Sequence, residues 1–350
     1  MIRRRGPRHV TSRPARRRLL AVASASACLL AAAAAIVLTS GHNRARDSAL
    51  TSATGPASNS APASPARPAG SASPSPAHRA RPARHRARRP GPAVTSPASH
   101  AAPAARSARK GVGAWSFNGV STALSRSGAA WYYTWSVSHQ PIATPPGTAF
   151  VPMIWGPGSV TSAALSQAKG EGRYLLGFNE PDMSSQSDMS VPQALSLWPK
   201  LMATGMRLGS PAVATGAATP GGWLDQFMHG AAARGYRVNF ITVHWYGADF
   251  TTSDAVQQLH DYLAAIHARY HLPIWLTEFA LIRFGSTTTF PSPQQQAAFV
   301  SAAASMLDHL PYLQRYAWFA LPASAGDGSA GLFRAGPAAT AAGRAFEAAS

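Results

Sequence analysis

Cysteine is almost absent from this chain: among its 350 residues the one thiol belongs to Cys28, which lies inside the first apolar run. The rest of the sequence therefore cannot form a disulfide, a cysteine-ligated metal site or a cysteine nucleophile. This is compatible with an oxidising exterior, although the absence alone does not demonstrate one.

Acidic residues are also scarce, with 13 Asp and Glu against 32 Lys and Arg and a formal net charge of +19. The imbalance is confined to residues 1–110, where Asp47 is the one acid, and residues 111–350 are net neutral. A nucleic-acid-binding protein would need a basic patch on its folded part. None is visible in the sequence, so we expect no nucleic-acid partner.

Aromatic residues are missing from the first third of the chain, since the first Phe, Trp or Tyr is Trp115. Residues 41–109 are rich in Pro, Ala, Ser and Arg and cannot bury enough apolar surface to offset the entropy of ordering. We predict a disordered linker over 41–109 and a folded domain over 110–350, which is long enough for a substantial core. The arginine-rich end of the linker fits either a clamp on an anionic wall polymer or a solvated spacer.

The N-terminus is typical of an exported protein. Residues 1–18 carry eight arginines and no acid, and residues 19–40 follow without a charged residue. A run of that length can span a bilayer, with the basic head held in the cytoplasm. It fits a cleaved signal peptide or an uncleaved signal anchor, and the poor match to a small-x-small cleavage site favours the anchor. In both cases we expect the domain on the extracellular face, either secreted or bound to the membrane through residues 19–40.

Beyond residue 110, short apolar runs alternate with helical patterns. Strands are predicted over 110–117, 131–135, 149–155, 173–179, 207–213, 239–245, 273–279 and 315–320. Helices are predicted over 161–170, 191–204, 223–235, 253–270 and 293–310. Eight largely apolar strands with helices between them predict an α/β fold, a (β/α)8 TIM barrel. The weak point is the proline-rich segment 136–148, which leaves room for an incomplete or missing helix after the second strand.

Two carboxylates stand at predicted strand ends. Glu180 ends the fourth strand, in GFNEPD, and Glu278 ends the seventh, in PIWLTEFA. The C-terminal ends of barrel strands face the active site. The same argument places further residues there as candidate substrate contacts: Trp115, Trp135, Trp155, Asn179, His244, Tyr246 and Trp318.

A pair of carboxylates in an aromatic cleft fits glycoside hydrolysis, where one is protonated to assist the leaving oxygen and the other attacks the anomeric carbon. Tryptophan suits the apolar faces of sugar rings. Asn179 could hold a substrate hydroxyl, and His244 or Tyr246 could hydrogen-bond the Glu278 carboxylate. Each tryptophan could equally belong to the barrel core, with Trp318 the best candidate for the cleft, and His244 could be a structural histidine.

No motif for a cofactor or a metal ion stands out. His260, His267 and His271 lie on or just after one predicted helix without partnering acids at metal-ligand spacing. No phosphate-binding loop or nucleophile-elbow pattern is present either. We therefore expect no cofactor and no metal.

Several motifs carry a resemblance to a known family. GFNEPD resembles the Asn-Glu-Pro signature of clan A glycoside hydrolases, and WLTEFA resembles the nucleophile strand of that clan. With KGVGAWSF, WYYTW, FVPMIWG, GSPAV, WLDQF, ITVHWYG and YAWFAL, these motifs are similar to glycoside hydrolase family 128 over 110–346. The resemblance implies a (β/α)8 barrel and retaining cleavage of β-1,3-glucans. It also implies that Glu180 is the acid/base, Glu278 the nucleophile and Asn179 the contact to the 2-hydroxyl.

Other functions stay open at this point. One is a non-catalytic polysaccharide-binding cell-wall protein, against which the presence of both glutamates argues. Another is a clan A hydrolase or transglycosylase for a different β-linked polysaccharide, which would use the same two residues. We expect a monomeric endo-β-1,3-glucanase, although the loop lengths that decide between endo and exo action cannot be matched from one sequence.

Overall fold

The computed structural model describes residues 107–324 and 328–349. The predicted basic head, the predicted signal or anchor segment and nearly all of the predicted linker lie outside these residues. Within the described part, no helix combines the length and the apolar character that crossing a bilayer requires.

Short strands alternate with helices along the described chain. The strands are β1 (Lys110–Gly113), β2 (Trp131–Tyr133), β3 (Ala149–Phe150), β4 (Tyr174–Leu175), β5 (Arg207–Leu208), β6 (Ile241–Gly247), β7 (Ile274–Leu281), β8 (Leu313–Trp318), β9 (Phe333–Arg334) and β10 (Ala338–Ala339). The α-helices are α1 (Val120–Arg126), α2 (Ser162–Glu171), α3 (Val191–Met202), α4 (Trp223–Ala233), α5 (Thr252–Tyr270), α6 (Pro293–Asp308) and α7 (Ala341–Ala348).

The first eight strands pair in parallel. Six form one sheet in the order β3-β2-β1-β8-β7-β6, and β4 pairs with β5. Parallel bridges from Met153 to Leu176 and from Gly209 to Phe240 continue the pairing from β3 to β4 and from β5 to β6. Each of the strands β1 to β8 is therefore linked to two others by parallel pairing. The predicted parallel α/β fold is confirmed.

Buried side chains separate into two main sets, because successive residues of a strand point to opposite faces. On β2, Tyr132 belongs to the large cluster that the helices cover, whereas Trp131 and Tyr133 belong to a smaller one. The fully buried members of the smaller cluster all lie on or beside strands, so they fill the sheet face away from the helices. All eight residues of β7 are buried, as expected for a strand covered on both faces.

The longest helix shows why these segments are helical. In α5, Ala255, Leu259, Leu263 and Ile266 recur every three or four residues and are buried, forming one apolar stripe against the sheet. The helix ends at His271, whose φ of 52° is left-handed, two residues before Pro273. Both features stop a helix.

The structure also differs from the predicted elements. No helix occurs between β2 and β3, where the proline-rich segment 136–148 lies. The helix that was expected to be incomplete or missing after the second strand is therefore missing. Helices α1 and α7 and the β9–β10 hairpin were not predicted. Several predicted strands are shorter than expected; β4 and β5 have two residues each.

Candidate active site

Two strand ends bring the predicted carboxylates together. Glu278 lies in β7 and is paired in register with His244 on β6, next to an irregularity between Val243 and His244. Glu180 lies beyond β4, and its backbone N–H donates to the carbonyl of Ala212 at 2.7 Å. Glu180 also has a left-handed φ of 42°. Such backbone strain clusters at functional sites.

His244 bridges the two carboxylates. Its Nδ1 lies 2.9 Å from Glu180 Oε1, and its Nε2 lies 3.4 Å from Glu278 Oε1. One oxygen of each carboxylate and one nitrogen of the imidazole all lie within 4.8 Å of one another. All three residues are buried, with at most 6% of their surface exposed. The two acids are therefore close enough to act on one bond.

Hydrogen-bond donors converge on Glu278. Its Oε1 accepts from the Tyr133 hydroxyl at 3.0 Å and from the Trp135 indole N–H at 2.8 Å, and its Oε2 accepts from the Tyr246 hydroxyl. Burial, together with the neighbouring carboxylates, raises the pKa of both tyrosines well above 10.0, so both stay protonated donors. These three contacts hold the Glu278 carboxylate in one orientation. The predicted contact between Tyr246 and Glu278 is present.

Glu180 has different surroundings. Burial raises its pKa above the usual value for a glutamate, and the negative charge of Glu278 acts in the same direction. The hydrogen bond and the charge of His244 oppose this rise. Burial lowers the pKa of His244, but Glu278 and Glu180 outweigh burial, so the pKa of His244 is raised. The two carboxylates therefore have different surroundings: the pKa of Glu180 is raised, and Glu278 is held by three hydrogen bonds.

Partly exposed aromatic rings adjoin the carboxylates. Trp115 lies 5.9 Å from Trp135 and 6.2 Å from Phe319 between ring centroids, and Phe319 lies 5.5 Å from Tyr246. Trp155 is half-buried, packs on the smaller cluster and accepts the Asn179 backbone N–H at its carbonyl. Trp115 and Phe319 therefore form an aromatic wall with Trp135 and Tyr246, the two rings that donate to Glu278.

The expectation that Trp318 faces the cleft is wrong. Its side chain is completely buried, its indole N–H donates to the Ala330 carbonyl at 2.7 Å, and its ring packs edge-on against Phe279. Phe319, the next residue, contacts Trp115 and Trp135 instead. Adjacent residues of an extended segment face opposite sides. A prediction that is wrong by one position therefore selects a core residue instead of a cleft residue.

Two further residues of the site were missed. Tyr133 was not singled out, although it lies in the same predicted strand as Trp135 and is the last residue of β2. Gln186 contacts the predicted substrate residue Asn179: Asn179 Nδ2 donates to Gln186 Oε1 at 3.3 Å. Asn179 itself is completely buried. No motif pointed to Gln186, because it lies in the loop after the strand.

The three residues Glu180, His244 and Glu278 are also the group, among the residues that the structure describes, that could hold a metal ion. Carboxylate and imidazole ligands suit several divalent metals. The chemistry of two glutamates on a glycosidic bond requires no metal. The expectation that the site works without one stays a prediction.

Comparisons with known proteins give several matches. Residues 113–346 match the family model described as the glycosyl hydrolase catalytic core. A GH128 subgroup I endo-β-1,3-glucanase from Amycolatopsis mediterranei, solved in complex with laminaritriose, is 55% identical, with a TM-score of 0.67. The match covers 69% of this chain and 99% of that chain. Other solved forms of that enzyme are mutants in which one glutamate is replaced by alanine or glutamine.

More distant relatives also match. A GH128 subgroup III curdlan-specific exo-β-1,3-glucanase from Blastomyces gilchristii, solved with glucose, is 30% identical, with a TM-score of 0.55 over 69% of this chain and 99% of that chain. Alkali-sensitive linkage protein 1 of Schizosaccharomyces pombe is 31% identical over 218 residues, which is 60% of this chain and 38% of that protein. The chain thus spans well under half the length of this curated relative.

Proposed function

The chain belongs to the glycosyl hydrolase catalytic core family and, within it, to glycoside hydrolase family 128, and from this premise we propose that it is a retaining endo-β-1,3-glucanase. The substrate is supported by the laminari-oligosaccharides bound in the related enzyme from Amycolatopsis mediterranei. Endo action is supported by the 54–55% identity to that endo-acting enzyme, since the exo-acting relative is 30% identical.

The fold we propose is a (β/α)8 barrel without a helix after its second strand. The parallel pairing of β1 to β8, with the bridges on either side of β4 and β5, supports this arrangement. In such a barrel the carboxyl ends of the strands carry the active site. Glu180 lies beyond the carboxyl end of β4, and Glu278 lies in the second half of β7.

One observation carries the proposal: two buried carboxylates, with one oxygen of each lying within 4.8 Å of the other, have different surroundings. Retaining glycosidases place their carboxyl groups about 5–5.5 Å apart, whereas inverting ones leave about 6.5–9.5 Å for a water molecule. The short separation here fits retention. The raised pKa of Glu180 fits an acid, and the three donors on Glu278 fit a nucleophile that is held in position for attack.

The mechanism is a double displacement. A Glu278 oxygen attacks the anomeric carbon while Glu180 protonates the departing glycosidic oxygen, which leaves a glycosyl ester on Glu278. Glu180, now ionised, removes a proton from water, and the hydroxide attacks the same carbon and releases the sugar with retained configuration. His244 contacts both carboxylates. Its imidazole can therefore stabilise whichever carboxylate carries the negative charge at each step.

The remaining contacts complete the proposed site. Asn179 would accept or donate a hydrogen bond at the 2-hydroxyl of the sugar under attack. Trp115, Trp155 and Phe319 would contact sugar rings, and Trp135 would do so while donating to Glu278. In the Amycolatopsis enzyme the two glutamates that were replaced are almost as far apart in sequence as Glu180 and Glu278 are here, which supports the assignment of the pair.

We further propose that the domain acts outside the cytoplasm, as a monomer, held by residues 19–40 if that segment is not cleaved. The support is the sequence pattern of a basic head followed by a long uncharged run. Fractionation of cells that express the chain, with and without residues 1–40, tests this placement.

The function is tested by reducing-sugar release from purified protein on linear β-1,3-glucan, mixed-linkage barley glucan, mannan and xylan. We expect activity on β-1,3-glucan and its loss in both Glu180→Gln and Glu278→Gln. Product lengths separate endo from exo action. A folded protein that is retained on β-1,3-glucan but releases no sugar would instead support a polysaccharide-binding function.

A further inference from the structure

Asn179 and Gln186 form a buried amide pair next to Glu180, and Gln186 has no part in the double displacement described above. Asn179 is completely buried and Gln186 is 8% exposed. Asn179 Nδ2 donates to Gln186 Oε1 at 3.3 Å. Among the described residues, neither Asn179 Oδ1 nor Gln186 Nε2 has a hydrogen-bond partner. The pair therefore has one acceptor and one donor to offer.

The loop over residues 181–189 holds Gln186 against Asn179. The Ser187 backbone N–H donates to the Asn179 carbonyl at 3.3 Å, and the Met189 N–H donates to the Pro181 carbonyl at 2.9 Å. The Trp223 indole N–H then donates to the Met189 carbonyl at 2.8 Å, which ties the end of the loop to α4. The loop returns to the strand end that carries Asn179, so the position of Gln186 is set by the backbone.

The contact also fixes which way the Asn179 amide faces. Because Nδ2 is the donor to Gln186, the group that Asn179 has left is the carbonyl oxygen Oδ1, which can only accept. A buried carbonyl oxygen without a partner costs free energy, and such a group beside a reaction site calls for a functional explanation. A sugar hydroxyl supplies the missing donor.

We propose that Gln186 is a positioning residue, which holds the Asn179 amide so that Oδ1 accepts a hydrogen bond from the 2-hydroxyl of the sugar under attack. This rests on the proposed function. Gln186 acts through Asn179. Replacing Gln186 should therefore remove the increase in kcat/KM that the 2-hydroxyl gives, while leaving Glu180 and Glu278 in place.

The test compares two substrates on each enzyme variant. One is nitrophenyl β-laminaribioside, and the other is its analogue that lacks the 2-hydroxyl on the glucose joined to nitrophenol. The ratio of their kcat/KM values measures the contribution of the 2-hydroxyl, and comparing ratios between variants cancels the intrinsic difference in reactivity. We expect Gln186→Met, which removes the acceptor at similar size, to lower this ratio at least tenfold.

Ser187→Ala is the matched control. Ser187 lies in the same loop, is 5% exposed, and has no partner for its hydroxyl among the described residues. The kcat/KM ratio of Ser187→Ala should equal that of the unmodified protein. Thermal unfolding shows whether Gln186→Met and Ser187→Ala are folded. If Gln186→Met does not fold, Gln186→Asn, which is too short to keep the 3.3 Å contact, should show the same loss.

Two results would overturn the assignment of Gln186: an unchanged ratio in a folded Gln186 variant, or an equal fall of the ratio in Ser187→Ala. Failure of the proposed function gives a different result, because the unmodified protein would then turn over neither laminaribioside. That outcome would reject the function and the positioning role together.

Discussion

At the scale of single residues, the environment of each glutamate decides its part in the reaction. Glu180 and Glu278 are chemically identical and about equally buried. Glu278 accepts hydrogen bonds from two phenols and an indole, whereas the contact of the Glu180 carboxylate is the His244 imidazole. We propose that this difference in surroundings makes Glu180 the acid and Glu278 the nucleophile.

Tyr246 should be needed for activity because its hydroxyl donates to Glu278 and orients that carboxylate for attack. A hydrogen bond to a charged group contributes about 1.5–3 kcal/mol, which corresponds to a factor of about 10 to 100 in rate. We expect Tyr246→Phe to lower kcat by this factor in assays on β-1,3-glucan. Tyr270→Phe is the control, since it removes a hydrogen bond to the Ala217 carbonyl away from the site. Equal rates for the two variants would contradict the role of Tyr246.

His244 should set the alkaline limit of activity. The hydrogen bond and positive charge of His244 lower the pKa of Glu180, so removing the imidazole raises that pKa. Glu180 must be protonated to assist the leaving group, and activity is lost as pH rises through its pKa. We therefore expect the alkaline limb of the kcat/KM profile of His244→Asn to move to higher pH.

The exposed His229, replaced by asparagine in the same way, serves as the control for this pH profile. Its alkaline limb should coincide with that of the unmodified protein. A His244→Asn limb that stays in place or moves to lower pH would show that His244 does not act on Glu180 as described.

At the scale of elements, the ends of the strands place the site, and a glycine on β1 makes room for it. A Cβ on Gly113 would lie 2.6 Å from Cη2 of Trp135, the indole that donates to Glu278. We expect Gly113→Ala to displace this ring and lower kcat about tenfold or more, measured on β-1,3-glucan. In Gly170→Ala, on α2, the new methyl group meets no atom within 4 Å, so kcat should be unchanged.

Helix α4 is joined to the end of α5 by an ion pair that has no part in the chemistry. Asp225 accepts the Gly221 backbone N–H at 2.7 Å and pairs with Arg269 at 2.6 Å, with 7% and 26% of their side chains exposed. We expect Asp225→Ala to lower the free energy of unfolding by about 1–3 kcal/mol without changing kcat, measured by urea unfolding. Asp254→Ala, at the exposed start of α5, should change the free energy of unfolding by less than about 0.5 kcal/mol.

The elements also show what the sequence could predict. The five predicted helices agree with the structure within two residues at each end, because apolar spacing and prolines mark them clearly. Helix α7 was missed because its AAGRAFEA sequence carries a single large apolar residue, Phe346, and its Thr340 cap is a weak signal. To predict whether Trp318 or Phe319 faces the cleft, one must know which residues of β8 point to which side of the sheet. The pairing of β8 with β7 is irregular, so the sequence alone does not give this.

At the scale of the whole molecule, the site contacts described above all lie between Gly113 and Phe319. The beginning of the described domain is fixed by Arg109, whose guanidinium donates to the carbonyls of Leu307, Asp308 and Leu310. Removal of residues 1–106 should therefore leave kcat/KM on soluble laminari-oligosaccharides within about twofold. A much larger loss would mean that the basic N-terminal third takes part in catalysis or substrate binding.

The central claim is a covalent glycosyl ester on Glu278, and trapping it is the most direct test. The protein is incubated with an activated 2-deoxy-2-fluoro laminaribioside, digested with protease and analysed by mass spectrometry. We predict that one fluorinated glycosyl group is attached to the peptide that contains Glu278, and that Glu278→Gln prevents labelling. Attachment to another residue, or active enzyme that forms no adduct and releases products of inverted configuration, would contradict the double displacement.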